Sequence, residues 1–410
     1  MNHDFHQLPN GLAIVGERDA DARSTTLGFW VKTGARDEAL EVSGVSHFLE
    51  HMMFKGTLSR SPEQINLEFD AMGARYNAFT SEEETVFYGA VLPEFGPQIL
   101  ELLADMMRPA LRNGDFDMEK KVIIEEIAMY DDRPMSQTWD ALKKLYYGAH
   151  PLGQSVLGTA QSITDLSRDA MMNYFENRYA PQNTALVVTG QYDWDAIVDG
   201  AQNACSDWKT TDAPRVYSEI TPGSGVVVET KPEVSRAHIG LMGPGLSTQD
   251  ARRYAASLAC EIVGGGAGSR LHWALVHPGL AEAASMGHDA QDGVGAFYGF
   301  LVARPERAGE VLKIWRAEVE KACENGVAED ELQRAKRKFA SSLTLRAETP
   351  MGRMRPVGYD WLYRAKQTST EELLAQILAV SLEDVNAVLA LNPFANPAIV
   401  GYGPMESLEV

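Results

Sequence analysis

The sequence predicts an α+β protein made of two homologous domains, each a mostly antiparallel sheet packed with helices. Three observations predict it. Strand-like runs paired through polar turns alternate with long stretches of helical periodicity. The pattern then occurs a second time: Gly225–Pro232 echoes Gly11–Asp19, and Ala237–Gly243 echoes Thr25–Val31. Between the copies lies a stretch with Thr210, Thr211, Pro214, Thr221, Pro222 and Gly223, the best linker in the chain. A length of 410 residues is too great for one ordinary domain and suits two of about 200. The expected division is a first domain over 1–208, a linker over 209–224 and a second domain over 225–410.

In the first half, Leu12–Glu17 and Thr25–Val31 read as strands, the second rich in β-branched and aromatic residues. A polar loop, Gly34–Glu38, follows, and Ser43 is placed to cap the next helix. That helix carries His47-Phe48-Leu49-Glu50-His51. On a helix, positions i, i+3 and i+4 share one face, so two imidazoles and a carboxylate enter one small volume. Neutral imidazole is a good zinc ligand, and a catalytic zinc keeps one position open for water. Glu50 would then stand where it can take a proton from that water, in the residue order of the inverted zincins. Two surface histidines on an amphipathic helix is the competing reading, and a third ligand would decide between them.

Ser61-Pro62-Glu63 starts a second helix, which Gly73 ends. Arg75–Thr80 and Thr85–Val91 then read as a hairpin joined by Ser81–Glu84. Asn77, Ala78 and Phe79 lie either in an ordinary hairpin or in an edge strand that holds an extended peptide. A helix over Pro93–Met107 precedes a second one that opens at Asp115 and runs to Tyr130. With Glu126 at zero on its wheel, Glu119 falls at about 20°, Val122 at about −40°, Tyr130 at about 40° and Ile123 at about 60°. Glu119 and Glu126 therefore share the apolar, core-facing side, while Glu125 sits with the charges. A carboxylate on a buried face needs an ion pair or a metal. Two histidines and one carboxylate form a known catalytic zinc set, and the wheel leaves open which glutamate completes it.

Composition excludes several classes. A net charge of −20 removes the basic surface that nucleic acid needs. No apolar run approaches the length of a membrane span, and the N-terminus has neither the basic nor the apolar region of a secretory signal. Cys205, Cys260 and Cys323 are odd in number and far apart, which argues against a disulfide framework. A cytoplasmic protein is expected.

These motifs carry a resemblance. His47-x-x-Glu50-His51, the extension Met52-Met53-Phe54-Lys55-Gly56-Thr57, Asn77-Ala78-Phe79-Thr80-Ser81 and Ile124-Glu125-Glu126-Ile127-Ala128-Met129-Tyr130 resemble the pitrilysin family, in its bacterial branch similar to the mitochondrial processing peptidase. The match runs in register over essentially the whole chain. The resemblance implies a Zn2+ peptidase with His47, His51 and Glu126 as metal ligands and Glu50 as base. It makes Glu119 a supporting carboxylate and the strand with Asn77, Ala78 and Phe79 the holder of the substrate backbone. His150, the rival ligand, precedes a proline and reads as a loop residue.

The remainder of the first half reads as a helix near Ser136–Tyr147, another over Ser167–Arg178, a buried strand Thr184–Gly190 and a closing helix from Asp193 to Cys205. In the second half a helix over Ala251–Val263 stands where the motif helix stood, without the motif. Gly264–Gly268 is rich in glycine, but no Lys-Ser/Thr follows it and it fits no dinucleotide fingerprint, so an oxidoreductase is a distant reading. In the resembled family this loop precedes an Arg and, seven residues on, a Tyr that reach the substrate carbonyl. Anchored on Gly279-Leu280-Ala281, those positions hold Leu275 and Glu282, and Arg270 matches a separate position. Losing donors to a developing oxyanion costs rate heavily. The resemblance thus implies a zinc-carrying subunit that acts on peptides as a homodimer, or as a heterodimer with a related subunit supplying Arg and Tyr. The alternative is a non-catalytic binding or assembly subunit with a structural or vestigial zinc site. Farther on, Phe297–Val302 reads as a strand, Pro350–Arg355 as a break with Arg353 and Arg355 on the surface, and Ala398–Tyr402 as a closing strand.

Overall fold

The computed structural model describes residues 2–212 and 214–409. Met1, Ala213 and Val410, which the expected domain and linker ranges include, lie outside the described residues. The chain forms two compact units. One holds the chain up to Ile127 with Gln154–Val216 and Thr344–Thr370; the other holds Ala128–Gly153, Tyr217–Leu343 and the chain from Glu371 onward. The units are not colinear with 1–208 and 225–410, because each takes one segment from the other half of the sequence.

The first unit is built on β1 (Asn2–Gln7), β2 (Ala13–Arg18), β3 (Thr25–Val31), β4 (Arg75–Thr80), β5 (Thr85–Val91) and β6 (Thr184–Gly190), in the order β1-β2-β6-β3-β5-β4. Only β2 and β6 pair in parallel; the other neighbours are antiparallel, and β4 lies at an edge. Side chains alternate between the faces of a strand. Ile14, Leu27, Phe29 and Leu186 face a core shared with α1 (Val45–Met53), α2 (Pro62–Ala71), α3 (Gly96–Met106) and α4 (Asn113–Asp131). Their neighbours Ala13, Val15, Trp30, Ala185 and Val187 pack on the other face against Met354 and Val357. Burial on both faces explains why these strands read as unbroken apolar runs.

Met354 and Val357 belong to a helix, Pro350–Arg364, where the sequence suggested a break. Pro350 sits in its first turn, where a missing N–H costs nothing, and Thr349 Oγ1 accepts from Gly352 N at 3.1 Å. Pro356 lies inside the helix and hides it from a propensity reading. Gly358 faces Trp30 so closely that an added Cβ would fall 2.4 Å from the indole, so only glycine lets this helix lie against the sheet. Arg353, expected on the surface, is buried: its Nε lies 3.3 Å from the buried Glu17 and its Nη1 2.9 Å from Asp19. Breaking a buried pair from one side strands a charge. Arg353→Met is therefore expected to destabilise the first unit by about 3–5 kcal/mol, seen as a lower midpoint of urea unfolding. An unchanged midpoint would show that the pair is dispensable.

The second unit repeats the plan. Its strands are β7 (Gly225–Thr230), β8 (Ala237–Pro244), β9 (Ala281–Gln291), β10 (Val294–Ala303) and β11 (Ala398–Gly403), ordered β7-β11-β8-β10-β9, with β7 and β11 parallel. This is the order β2-β6-β3-β5-β4 of the first sheet. One face packs on the helix Arg253–Gly264, through Leu258 and Ile262. The other is covered by α5 (Pro134–Tyr147), through Leu142, Tyr146 and Tyr147 against Met242 and Val400. The duplication and the α+β class are thus properties of the fold. β9 was not legible: Ala-Glu-Ala-Ala-Ser-Met-Gly lacks the β-branched residues that announce a strand. Among the described residues, no helix is long and apolar enough to cross a membrane.

Candidate functional site

The site is built on α1 and α4 of the first unit. Val45, Phe48, Leu49, Met52 and Met53 bury α1 in the core, and this fixes the rotation of His47, Glu50 and His51 on its flank. Ser43 does not cap the helix. Gly44 does so, at φ +91°, a left-handed conformation suited to glycine. The orphan N–H groups of the first turn find the carboxylate of Glu38, which accepts from Gly44 N at 2.6 Å and Ser46 N at 2.7 Å. Burial pushes the Glu38 carboxyl up to about 8, against the pull of those two donors.

On α4 the buried residues are Phe116, Glu119, Ile123 and Ile127, a narrow stripe. Glu119 lies within this stripe and Glu126 beside it, half-buried. Glu125 is exposed. Val122, assigned by the wheel to the core-facing side, is 46% exposed. The contact between α4 and the core is narrower than an apolar half-wheel, and Val122 falls outside it.

The geometry separates the two glutamates. Glu126 Oε2 lies 3.8 Å from His47 Nε2 and 3.5 Å from His51 Nε2. One ligand atom from each of His47, His51 and Glu126 lies within 4.8 Å of the others. Ligands about 2.0–2.1 Å from a tetrahedral zinc stand about 3.3 Å apart, so this donor set fits such an ion with small adjustments. Glu119 instead faces the other side of the ring: its Oε1 lies 2.9 Å from His51 Nδ1, and Lys55 Nζ lies 2.6 Å from its Oε2. Donating Nδ1–H to Glu119 leaves the His51 Nε2 lone pair free to bind.

The protonation states follow. Burial, with His51 close by, holds His47 down at about 3, so its imidazole is neutral and ready to coordinate. Burial also works against the cationic form of His51, but the hydrogen bond to Glu119 and the charges of Glu126 and Glu50 raise it. Burial raises Glu119, and the bonds from His51 and Lys55 outweigh it, so Glu119 stays below the ordinary carboxylate value. Glu50 goes the other way: burial and the charge of Glu126 raise it, with Thr80 and His51 opposing. Thr80 Oγ1 donates to Glu50 Oε2 at 2.6 Å, which ties the end of β4 to this carboxylate.

On β4, Asn77 is exposed, Phe79 half-buried and Ala78 buried. His150 is outside the cluster, and its Nδ1 accepts from Leu152 N at 3.2 Å. In the second unit Leu275 is fully buried in the core, within a π-helical turn over His272–Val276. Glu282 is exposed and paired with Arg236. Arg270 holds Glu331 at 2.7 Å. The Gly264–Gly268 loop has its own closure, with Lys338 Nζ donating to Ala267 O at 2.9 Å and lying 2.8 Å from Glu261. In the sequence Lys55 and Thr80 are named only within motifs and Glu38 only in a loop, and none of them has a role there. Lys55 had a signal, since it follows His51 by one helical turn.

The comparisons agree with this picture. The family described as insulinase (peptidase family M16) matches residues 13–160, and the one described as peptidase M16 inactive domain matches residues 165–339. An uncharacterized zinc protease of Streptomyces coelicolor is 32% identical over 97% of this chain and 89% of its own. The mitochondrial-processing peptidase subunit beta of Neurospora crassa is 28% identical over 92% of this chain and 83% of its own. The crystal structure of a Helicobacter pylori protease shares the fold with a TM-score of 0.91 at 21% identity, over 98% of this chain and 99% of that one. Sequence relatives, fold and duplication converge: the chain belongs to peptidase family M16, the pitrilysin family.

Proposed function

We propose that the protein is a zinc-dependent endopeptidase that hydrolyses peptides or short unfolded polypeptides, with Glu50 as general base. The observation that supports this most is the convergence of His47, His51 and Glu126 within 4.8 Å, next to a half-buried Glu50. The name zinc protease carried by the relatives adds to it. His47, His51 and Glu126 would hold the zinc, which when bound would acidify a water and polarise the scissile carbonyl. Glu50, raised by burial, takes the proton and returns it to the leaving amine. Thr80 fixes the carboxylate in place. Glu119 holds the His51 ring, with Lys55 balancing its charge. The edge strand with Asn77, Ala78 and Phe79 offers the substrate backbone a ladder to join. The same reading places the enzyme in the cytoplasm, with its three cysteines free.

Leu275 and Glu282 favour a second feature. A buried leucine and an ion-paired glutamate supply no donor to an oxyanion, so the working enzyme takes its Arg and Tyr from a second, related chain around a common chamber. An assembly subunit without its own chemistry is the competing reading. Hydrolysis of a mixed peptide library by the zinc-loaded chain, against the chelator-stripped chain, tests the proposal. Metal-dependent cleavage supports it. Silence both alone and with any copurifying related chain favours the assembly subunit.

Glu119 gives a prediction independent of turnover. Glu119→Ala is expected to weaken zinc about 10- to 100-fold, measured by competition with a chromophoric chelator. Wild-type affinity in this variant would remove Glu119 from the support of His51.

A further inference from the structure

The geometry points to Arg355 as a specificity-determining residue that selects an acidic side chain on the peptide bound at β4, an inference that rests on the proposed peptidase reading. β4 is an edge strand, and consecutive residues along it face opposite ways. Thr80 turns to Glu50. Phe79, its neighbour, turns to the other face, where it meets Trp30 edge-on at 6.1 Å and lies beneath the guanidinium of Arg355, 4.7 Å from the ring centroid. A peptide that adds to β4 as a further strand presents its side chains alternately to the same two faces. The residue opposite Phe79 therefore reaches Arg355.

Three features suit Arg355 to recognition. It is exposed, and it has no carboxylate partner among the described ion pairs, although acidic residues outnumber basic ones by 57 to 37 in the chain. It is held in place by stacking on an aromatic ring, which leaves the planar N–H fork free to take a carboxylate. Its helix is fixed beside the hairpin: the hydroxyls of Tyr359, at 3.0 Å, and Tyr363 both donate to the buried Glu84 in the turn between β4 and β5. Asn77, exposed and two residues before Phe79 on the same face, adds an amide donor. Aspartate or glutamate is the side chain this surface favours, and lysine or arginine the one it rejects.

The test uses a neutral parent peptide in which Glu, Gln and Lys are placed in turn at each position. Binding is measured to zinc-loaded Glu50→Gln protein, with and without Arg355→Glu, and kcat/KM is measured for the Glu50 forms. One position is expected to favour Glu over Lys by roughly tenfold, chiefly in KM, and Arg355→Glu is expected to invert that order. Arg252→Glu, an exposed substitution in the second unit, controls for net charge and keeps the order. A Glu preference that is absent, or that survives Arg355→Glu, overturns the assignment. Hydrolysis without any Arg355-dependent preference leaves the peptidase reading standing and sinks the subsite. Arg355-dependent binding without hydrolysis does the reverse.

Discussion

Glu50→Gln is expected to keep bound zinc at wild-type stoichiometry and to lose about 100- to 10,000-fold in peptide hydrolysis. The substitution is almost isosteric. The amide oxygen can still accept from Thr80 Oγ1, which bonds to Glu50 at 2.6 Å, and Glu50 is not one of the three residues whose ligand atoms converge. Only the ability to take a proton is removed. In the proposed mechanism the proton goes to this raised carboxylate, and neither of the two other glutamates described at the site is free for the task. Glu119 is committed to His51 and Lys55, and Glu126 is committed to the histidine pair. The measurement is turnover of a cleaved peptide beside metal content, made with any copurifying related chain if the protein alone is silent. Wild-type turnover in Glu50→Gln would remove Glu50 from its role.

What the sequence showed of this site followed from local geometry. A helical repeat of 3.6 residues is enough to put His47, Glu50 and His51 together, and they are together on α1. The same argument on α4 stopped short. A wheel ranks residues by angle, but burial depends on what packs against the helix. The core buries Phe116, Glu119, Ile123 and Ile127 of α4 and packs on Ile124, so Val122 lies in solvent and the two glutamates, about 20° apart on the wheel, make different contacts. Nor did the sequence reveal Glu38 as the partner of the α1 N-terminus. That contact spans a loop whose path depends on Gly44 adopting φ +91°.

The fold was legible where strands are continuous and the repeat is close, as in β3 and β6 against β8 and β11. It was not legible where one half of the sequence completes the other unit. Pro350–Arg364 carries Pro356, Gly352 and Gly358, all poor helix formers. Its stability comes from tertiary packing against Trp30, Val15 and Val187, which no local reading contains. The buried pair of Arg353 with Glu17 belongs to the same contact.

The glutamates of α4 supply the sharpest test of the metal site. Glu126→Ala is expected to weaken zinc by more than the roughly 10- to 100-fold that loss of a supporting residue costs, because it removes one of three donors. Glu125→Ala, one residue away, is expected to bind zinc as the wild type does. The two substitutions delete the same group from the same helix, so a general effect on α4 would move both. They differ in place: Glu126 Oε2 lies 3.5 Å and 3.8 Å from the two imidazole nitrogens, and Glu125 is exposed to solvent. Chelator competition on each variant, with the far-ultraviolet spectrum as a check on folding, reads the difference directly. If Glu125→Ala lost zinc while Glu126→Ala kept it, α4 would have to be rotated by about 100° from the orientation that buries Ile123 and Ile127, and the centre as described would not exist. If both variants kept zinc, the ion would rest on the histidines and another donor. Loss confined to Glu126→Ala would leave the two imidazoles and this carboxylate as the ligand set, and it would leave Glu119 free for its distinct task of holding His51.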